Sequence, residues 1–301
     1  MQSIDIIVPF VNPWDPNWLK TALKYNKNIT YSSFRDSGSI RYFFRGVEKN
    51  MPWIHRVILV LQSESQIPKW LNKNNPKLKI VFHKDYIPKN LLPTFNSNVI
   101  ELFYYRIKGL TKHFILANDD TIAIRNLEPE DFFIDNKIVY GRTKDYYPCL
   151  CLNEGFSHII DNNRKAAGII TKSYKPFYTD YHLFMPELKS IHKMCFERYG
   201  REIINKMKHS HFRSNHDISH ILFYFVTRKL GLCVVNDDYR LGLLNLEDRA
   251  RPESLINALN SCRSKICCMN DNFVQLNDKE INKIVQETLH YFLPEKSSFE
   301  I

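Results

Sequence analysis

Short, almost wholly apolar runs constrain the fold of this chain most strongly, because each one ends in polar or turn-forming residues. Residues 4–11 (IDIIVPFV) are followed by Asn-Pro-Trp-Asp-Pro, and further runs occupy 57–61, 79–82 and 114–117. Runs of this length and apolarity are typical of strands that are buried on both faces of a sheet. The last of them leads directly into Asn-Asp-Asp.

Helical spacing of apolar residues lies between these runs. It covers 40–47, with Ser39 as the expected N-cap, and 99–107. Alternation of strand and helix predicts an α/β fold with mostly parallel pairing, in which ligands bind at the carboxyl ends of the strands. Beyond about residue 140 helical patterns dominate, at 186–208, at 217–229, and after a capping box formed by Asn277 and Glu280.

Composition excludes several classes of protein. No apolar run approaches the about 20 residues that span a bilayer, and the first residues do not resemble an export signal, so we expect a cytoplasmic protein. Seven cysteines without a C-x-x-C pair argue against a disulfide framework and a zinc ribbon. The dinucleotide fingerprint and the P-loop are both absent from the sequence.

The formal net charge is +10, which predicts anionic partners. Lysine and arginine are dispersed rather than gathered in one stripe, so we do not expect nucleic acid as a partner. The charge suggests peripheral association with the inner, anionic face of the cell membrane. A basic scaffold that binds polysaccharide or nucleic acid without turnover is the alternative that is not an enzyme.

Two charged clusters suit phosphate chemistry. Asn118, Asp119 and Asp120 follow a buried strand, where adjacent carboxylates either bind a divalent cation or form a plain turn or helix cap. The segment Arg35-Asp36, followed by Arg41 and Arg45, places three guanidinium groups around the start of a helix, which suits phosphate contacts or, equally, a solvated basic face.

The histidines allow more than one interpretation. His216 and His220 lie at i and i+4, as in many zinc sites, but the sequence has no H-E-x-x-H motif and no evident third ligand. We therefore favour capping or exposed histidines around a functional arginine, Arg213. His182 lies among aromatic residues, where a histidine is more often packed than catalytic.

Several blocks together resemble the Stealth proteins, which are bacterial capsule and cell-wall polysaccharide hexose-1-phosphate transferases related to the catalytic part of lysosomal-enzyme GlcNAc-1-phosphotransferase. The first block is IDIIVPFVNPWDPNW, and the longest runs from FRDSGSIRYFF through LPTFNSNVIEL and FILANDD to EDFF. His182 with Pro186 forms a third, weaker block. HFRSNHDIS, CMNDNFVQLND and PEKSSFE complete a resemblance that covers nearly the whole chain.

The resemblance implies transfer of a sugar-1-phosphate from a UDP-sugar to a hydroxyl of a glycan or lipid-linked acceptor, with release of UMP. We expect one domain, 1–301, with a Rossmann-like, glycosyltransferase-A-like core over 1–140 and a largely helical portion over 141–301. The implied cofactor is Mg²⁺ or Mn²⁺, bound by Asp119 and Asp120. The implied catalytic residues are His182 as general base, Arg213 as phosphate clamp, and Asp120. The implied donor-binding residues are Asn12, Asp15, Arg35, Asp36, Arg41, Asn96, Ser97, Glu101, Asn118 and Asp217.

Alternatives stay open at several of these positions. Asn96 also suits the cap of a helix that begins near Ser97, and Asp15 suits a turn closed against Pro16. His158 and His192 are further candidates for the base. A metal-dependent glycosyltransferase that releases UDP is the strongest alternative function, because an α/β core with an acidic strand end serves that chemistry as well.

Overall fold

The computed structural model describes residues 3–29, 34–141, 154–172, 183–236, 241–246, 251–271 and 277–301. Within these ranges the strands are β1 (Ile4–Pro9), β2 (Arg56–Leu61), β3 (Leu78–Phe82), β4 (His113–Leu116), β5 (Thr121–Ala123), β6 (Phe133–Ile134), β7 (Lys137–Gly141), β8 (Met185–Leu188), β9 (Cys233–Asn236), β10 (Leu241–Leu246) and β11 (Ile266–Asp271). The helices are α1 (Pro16–Tyr25), α2 (Ser39–Asn50), α3 (His83–Tyr86), α4 (Ser97–Leu102), α5 (Glu154–Thr171), α6 (Lys189–Met207), α7 (Ile221–Lys229), α8 (Pro252–Ser261) and α9 (Asp278–Phe292).

A central sheet has the strand order β3-β2-β1-β4-β8. The first four strands are parallel, and β8 pairs antiparallel with β4 at the edge. The chain steps outward from β1 to β3 and then returns to place β4 on the other side of β1. Strand order therefore reverses between β1 and β4, and this reversal opens a crevice at their carboxyl ends. The predicted α/β fold with a mostly parallel sheet is confirmed.

Both faces of the central sheet are covered, which explains why its strands are apolar at successive positions. In β1, Ile6 and Val8 belong to an apolar cluster that includes α2 and α9. Ile7 points to the other face and belongs to a second cluster with α5, α6 and α7. Among the described helices, none is both long enough and apolar enough to cross a membrane.

Smaller sheets extend this core. In one of them β11 pairs parallel with β10 and antiparallel with β5, which follows β4 directly. Helix α2 packs closely on β5 at Gly46, where a Cβ atom would lie 2.6 Å from the Ala123 carbonyl oxygen. Strands from the second half of the chain, β8 and β11, thus complete sheets that the first half begins.

The last residues, 293–301, form a C-terminal clamp on α2 and the segment after β2. The Glu300 carboxylate accepts hydrogen bonds from Arg45 Nε (2.7 Å) and Nη2 (3.0 Å). Arg45 Nη1 donates to the Leu293 carbonyl at 3.1 Å, and the Ile301 amide donates to the Trp70 carbonyl at 2.9 Å. The Arg45 and Glu300 side chains are 8% and 2% exposed, so this ion pair is largely shielded from solvent.

Local predictions succeed at some element ends and fail at others. The Asn277 and Glu280 capping box and the Asn96 cap are confirmed. The predicted Ser39 cap is wrong, because α2 begins at Ser39 and its N-cap is Gly38, which has a left-handed φ of 77°. The helix predicted over 99–107 ends at Leu102, and a 3-10 turn follows it.

The predicted helix over 186–208 also begins too early. Residues Met185–Leu188 form strand β8, and α6 starts only at Lys189. The helix predicted over 217–229 is α7, which begins at Ile221. Strands β9, β10 and β11 lie in the portion where helical patterns dominate the sequence, so this portion is more mixed than those patterns suggest.

Candidate functional site

A cleft of about 390 Å³ opens at the carboxyl ends of the central strands, where the strand order reverses. Pro9 at the end of β1 and Phe10 after it line the cleft, and so do Asn118 and Asp119 in the segment that follows β4. The strand register explains this placement. Ile7 pairs with Leu116, so the segments that follow β1 and β4 leave the sheet at the same edge, where both line the cleft.

Asp119 brings a carboxyl group into the cleft. Burial, followed by the neighbouring charges of Asp120 and Asp36, raises the pKa of Asp119 well above its ordinary range. Burial also raises the pKa of Asp36, although its carboxylate accepts a hydrogen bond from the Gly38 amide at 2.8 Å. The structure therefore brings three predicted acidic residues into one electrostatic group whose members repel one another.

Asp120 points away from the cleft, toward β11. Its Oδ2 atom accepts a hydrogen bond from the Cys268 thiol at 3.5 Å, and its Oδ1 atom lies 3.4 Å from the Thr121 hydroxyl. The Asp120 carbonyl accepts a hydrogen bond from the Met269 amide at 2.8 Å. Strand β11 thus fixes the backbone that carries both aspartates.

The donor set fits a magnesium-like ion in part. The described ranges contain no group of three His, Cys, Asp or Glu side chains that could hold a metal. Mg²⁺ usually takes one or two carboxylates and completes its shell with water and substrate phosphates. Of the two predicted ligands, Asp119 lines the cleft, whereas the Asp120 carboxylate faces Cys268 on β11, so the predicted metal pair stays a prediction.

A loop over 209–217 contributes Arg213 to the lining of the same cleft. The Arg213 Nε atom donates a hydrogen bond to the Ser97 hydroxyl at 2.9 Å, and both residues line the cleft. The guanidinium itself is exposed. Two residues that were predicted separately, 116 positions apart, therefore form one contact at the cleft wall.

The predicted residues Asn96 and Asp217 hold this loop from beneath. Asp217 is 1% exposed, and its carboxylate accepts hydrogen bonds from Asn96 (2.7 Å), Asn98 (2.9 Å), Ser210 (2.5 Å) and both the amide and the hydroxyl of Ser214. Asp217 thereby orders the residue next to Arg213 rather than bonding the guanidinium. Asn96 also caps α4, the helix that begins with Ser97.

A carboxylate and imidazole pair lies at the cleft. Glu101 lines it, is 4% exposed, and has its Oε2 atom 2.5 Å from His220 Nδ1. His220 was grouped with His216 as a metal pair at i and i+4, but it precedes α7 and faces Glu101 on α4. The sequence offered no signal for this contact, because 119 residues separate the partners.

Other predicted residues stand beside the cleft rather than in its lining. The Asn12 amide donates to Gln66 Oε1 at 2.7 Å, and Asp15 caps α1 and accepts from Ser65 and Gln66. Burial opposes ionisation of Asp15, but these hydrogen bonds outweigh it and lower its pKa. These contacts fasten the loop after β1 to the loop after β2. The cap that Asp15 forms on α1 agrees with the interpretation of Asp15 as a turn residue.

The two predicted arginines are engaged by acidic residues. Arg35 Nε lies 2.9 Å from Asp278 Oδ1 at the start of α9. Arg41 Nε lies 3.7 Å from Glu300 Oε2, and its guanidinium stacks over the Trp70 ring at 5.0 Å. Their predicted contact with a donor phosphate stays a prediction.

Histidines considered as the general base differ in position. His182 lies outside the described residues. His192 is fully buried, stacks on Phe223 at 3.6 Å and lies 3.3 Å from Glu187. Burial lowers its pKa well below the usual range, which favours a neutral core histidine. His158 is exposed on α5.

An aromatic wall completes the cleft. Its members all line the cavity, and neighbouring rings contact one another with centroid distances of 5.0 to 6.3 Å. The wall consists of Trp18, Phe34, Phe95 and Phe212. Such faces suit a planar heterocycle or a sugar ring. Sequence patterns did not single out this wall, because its residues come from four separate segments.

Sequence comparisons with known proteins give two family matches and several relatives that align over nearly the whole chain. Residues 33–140 match the Stealth protein conserved region 2, and residues 257–301 match the conserved region 4. The chain is 31% identical to a capsular polysaccharide phosphotransferase, WcwK, of Streptococcus pneumoniae, with 100% of this chain and 99% of the relative aligned. It is 29% identical to the receptor polysaccharide phosphotransferase WefC of Streptococcus gordonii, with full coverage of both chains. It is also 29% identical to the exopolysaccharide phosphotransferase cps2G of Lactiplantibacillus plantarum, with 99% and 96% covered.

Proposed function

Since this chain belongs to the Stealth family and is a transferase, we propose that it transfers a sugar-1-phosphate from a UDP-sugar to a hydroxyl of a glycan acceptor. The transferred group is N-acetylhexosamine-1-phosphate or hexose-1-phosphate, and the product is a phosphodiester in a capsule or surface polysaccharide. The similar proteins described above are polysaccharide phosphotransferases, which supports the reaction class.

One observation carries the proposal: Asp119 and Arg213 line the same cleft, at the reversal point of a parallel sheet. A carboxylate alone repels a pyrophosphate, whereas a carboxylate that binds a cation attracts it. The exposed guanidinium of Arg213 in the same cleft adds a bidentate partner for phosphate oxygens. A cleft that has both features suits a nucleotide diphosphate better than a neutral sugar.

The chemistry assigns a role to each side of the cleft. The acceptor oxygen forms a bond to the sugar-proximal phosphorus, and the bond from that phosphorus to the bridging oxygen breaks, so that UMP leaves. Negative charge grows on the non-bridging and leaving oxygens. Arg213 would stabilise that charge, held in place by Ser97. A divalent cation on Asp119 and Asp120 would neutralise phosphate charge when bound.

The acceptor hydroxyl must also lose its proton. His182 is our predicted base from the family resemblance. Within the described part of the chain, the Glu101 and His220 pair is a second candidate, because Glu101 lines the cleft and His220 contacts it directly. A base must reach the acceptor oxygen, and the cleft lining gives Glu101 that access.

The test identifies the nucleotide that is released. Purified protein would be incubated with a panel of UDP-sugars, Mg²⁺ and an oligosaccharide acceptor, and the products separated by chromatography. We expect UMP, loss of turnover in excess EDTA, and loss of turnover in Asp119→Asn. Glu202→Gln, on the exposed side of α6, is the matched control and should keep full rate. Release of UDP would identify a glycosyltransferase instead, and full rate in EDTA would exclude the metal.

The net charge of +10 supports a further part of the proposal, peripheral binding to an anionic membrane where lipid-linked acceptors reside. Flotation with anionic vesicles at low and high salt tests it. Binding that disappears at high salt is expected, and absence of binding at low salt would contradict it.

A further inference from the structure

Two polar side chains beside the cleft have buried atoms without a hydrogen-bond partner among the described residues. They are Gln62, through Oε1, and His83, through Nδ1. His83 is 6% exposed. A buried polar atom without a partner costs about 1–3 kcal/mol, so such atoms are uncommon and call for an explanation.

The strand register places these two residues side by side. Leu61, the last residue of β2, pairs with Phe82, the last residue of β3. Gln62 directly follows β2, and His83, the first residue of α3, directly follows β3, so both emerge at the carboxyl edge of the sheet. Both line the cleft that holds Asp119, and both also line an adjoining pocket of about 460 Å³.

Their chemistry does not suit phosphate. Burial lowers the pKa of His83 to about 3, so the imidazole is neutral and carries one N–H donor and one nitrogen acceptor. Gln62 presents an amide oxygen that accepts. A neutral acceptor and a neutral imidazole at the sheet edge would not attract an anion, but they match a flat heterocycle whose edge alternates donors and acceptors.

An aromatic face lies next to them. Trp18 lines both cavities together with Gln62 and His83, and it is 3% exposed. Thr94 lines both cavities as well. Sites that bind a planar ring commonly combine an apolar aromatic face with a few neutral polar groups at its border, which form hydrogen bonds to the edge of the bound ring.

We propose that Gln62 and His83 bind the imide edge of the donor's uracil ring, with Gln62 Oε1 accepting from the ring N3–H and His83 donating to a ring carbonyl. This inference rests on the proposed function, because it requires a uridine nucleotide in the cleft. It assigns base selection to β2 and β3, whereas Asp119 and Arg213 serve the phosphates. Cytosine lacks an N–H at ring position 3, so the same pair discriminates against it.

The test measures binding of UMP by titration calorimetry in Mg²⁺, without turnover. Gln62→Met and His83→Phe remove the hydrogen-bonding atoms and keep the side-chain volume. We expect each to weaken UMP binding about tenfold. His113→Phe is the matched control, because His113 is also a buried histidine of this sheet but lies at the opposite, amino end of β4. It should change UMP binding less than about twofold.

Ring analogues make the test specific to the atoms. CMP and 3-methyl-UMP, which lacks the N3–H, should bind the unaltered protein about tenfold more weakly than UMP does. Gln62→Met should bind UMP and 3-methyl-UMP equally, because the contact that distinguishes them is gone. Thermal unfolding of each variant shows whether it is folded, and Gln62→Met, at a partly exposed residue, keeps the test valid if His83→Phe unfolds.

The outcomes separate this inference from the proposed function. If UMP binds the unaltered protein and both variants equally, base reading by this pair is wrong while a uridine donor stands. Equal binding of CMP would likewise overturn the uracil assignment. If neither UMP nor UDP binds the unaltered protein, the proposed donor fails, and this inference fails with it.

Discussion

Removal of the Glu300 carboxylate should destabilise the protein severely, although it lies one residue from the end of the chain. Glu300→Gln keeps the size of the side chain and removes its charge. The carboxylate accepts from Arg45 Nε and Nη2 and from the Ser297 amide and hydroxyl. Glutamine can keep some of these contacts, but its amide group would present N–H donors to the donors of Arg45.

The size of the effect follows from the burial of the pair. Because the Arg45 and Glu300 side chains are 8% and 2% exposed, solvent screening does not reduce the interaction much. Loss of one partner from a buried ion pair costs about 3–5 kcal/mol, since the other charge remains buried. At about 2–3 °C per kcal/mol for a chain of this size, the melting temperature should fall by about 6–15 °C.

Thermal unfolding followed by circular dichroism measures this change. Glu295→Gln is the matched control, because Glu295 belongs to the same clamp but is exposed, and it should shift the melting temperature by less than about 1–2 °C. The double variant, which carries both Arg45→Met and Glu300→Met, should be more stable than the single variant Glu300→Met. The single variant keeps the buried charge of Arg45, whereas the double variant has no buried charge at this place. If the melting temperature of Glu300→Gln lies within about 2 °C of that of the unaltered protein, the loss of unfolding free energy is ~1 kcal/mol or less, and the reasoning is refuted.

Three further predictions concern the cleft and the sheet. Asp217→Asn should lower the unfolding free energy by about 2–4 kcal/mol, because at least two of its accepted hydrogen bonds meet an N–H instead; an unchanged denaturant midpoint would contradict this. Arg213→Ala should reduce turnover at least about a hundredfold without changing the melting temperature, whereas the exposed Arg201→Ala on α6 should keep full rate; initial rates measure both, and equal rates would remove the phosphate role. Asp5 is buried, which raises its pKa, but hydrogen bonds from Arg56, His55 and Thr111 outweigh burial, so that the net pKa lies below 3.8. The ionised Asp5 therefore stabilises the fold above pH 3.8, and this stabilisation is lost as the pH falls through the folded-state pKa. Acid titration of stability should therefore be flatter for Asp5→Asn, and superimposable acid limbs would contradict this assignment.

Much of the fold was predictable because its signals are local. A strand buried on both faces must be apolar at successive positions, and β1, β2 and β4 are. Helix caps are also local, and the Asn96 and Asn277 caps were both expected. The start of α6 was mispredicted because Pro186 lies in an edge strand paired with Ile115, and edge pairing leaves no periodic trace in four residues.

The cleft was predictable only in part. Asp119 and Ser97 follow recognisable strand and cap signals, and Arg213 came from the family resemblance. Gln62 and His83 look like ordinary polar residues after strands, and their proximity depends on the register between β2 and β3. His220 meets Glu101 only through tertiary packing, which spacing along the chain does not encode.

The interlocking of β5 with β11 and of α2 with the C-terminal clamp has a consequence for biosynthesis. Synthesis reaches the acidic strand end early, whereas Met269, which bonds the Asp120 carbonyl, and Glu300, which pairs with Arg45, are made much later. The edge of β5 stays without its partner until β11 leaves the exit tunnel, and Arg45 lacks Glu300 until residues 293–301 follow. A nascent chain should therefore carry an unfinished cleft until both segments have been made.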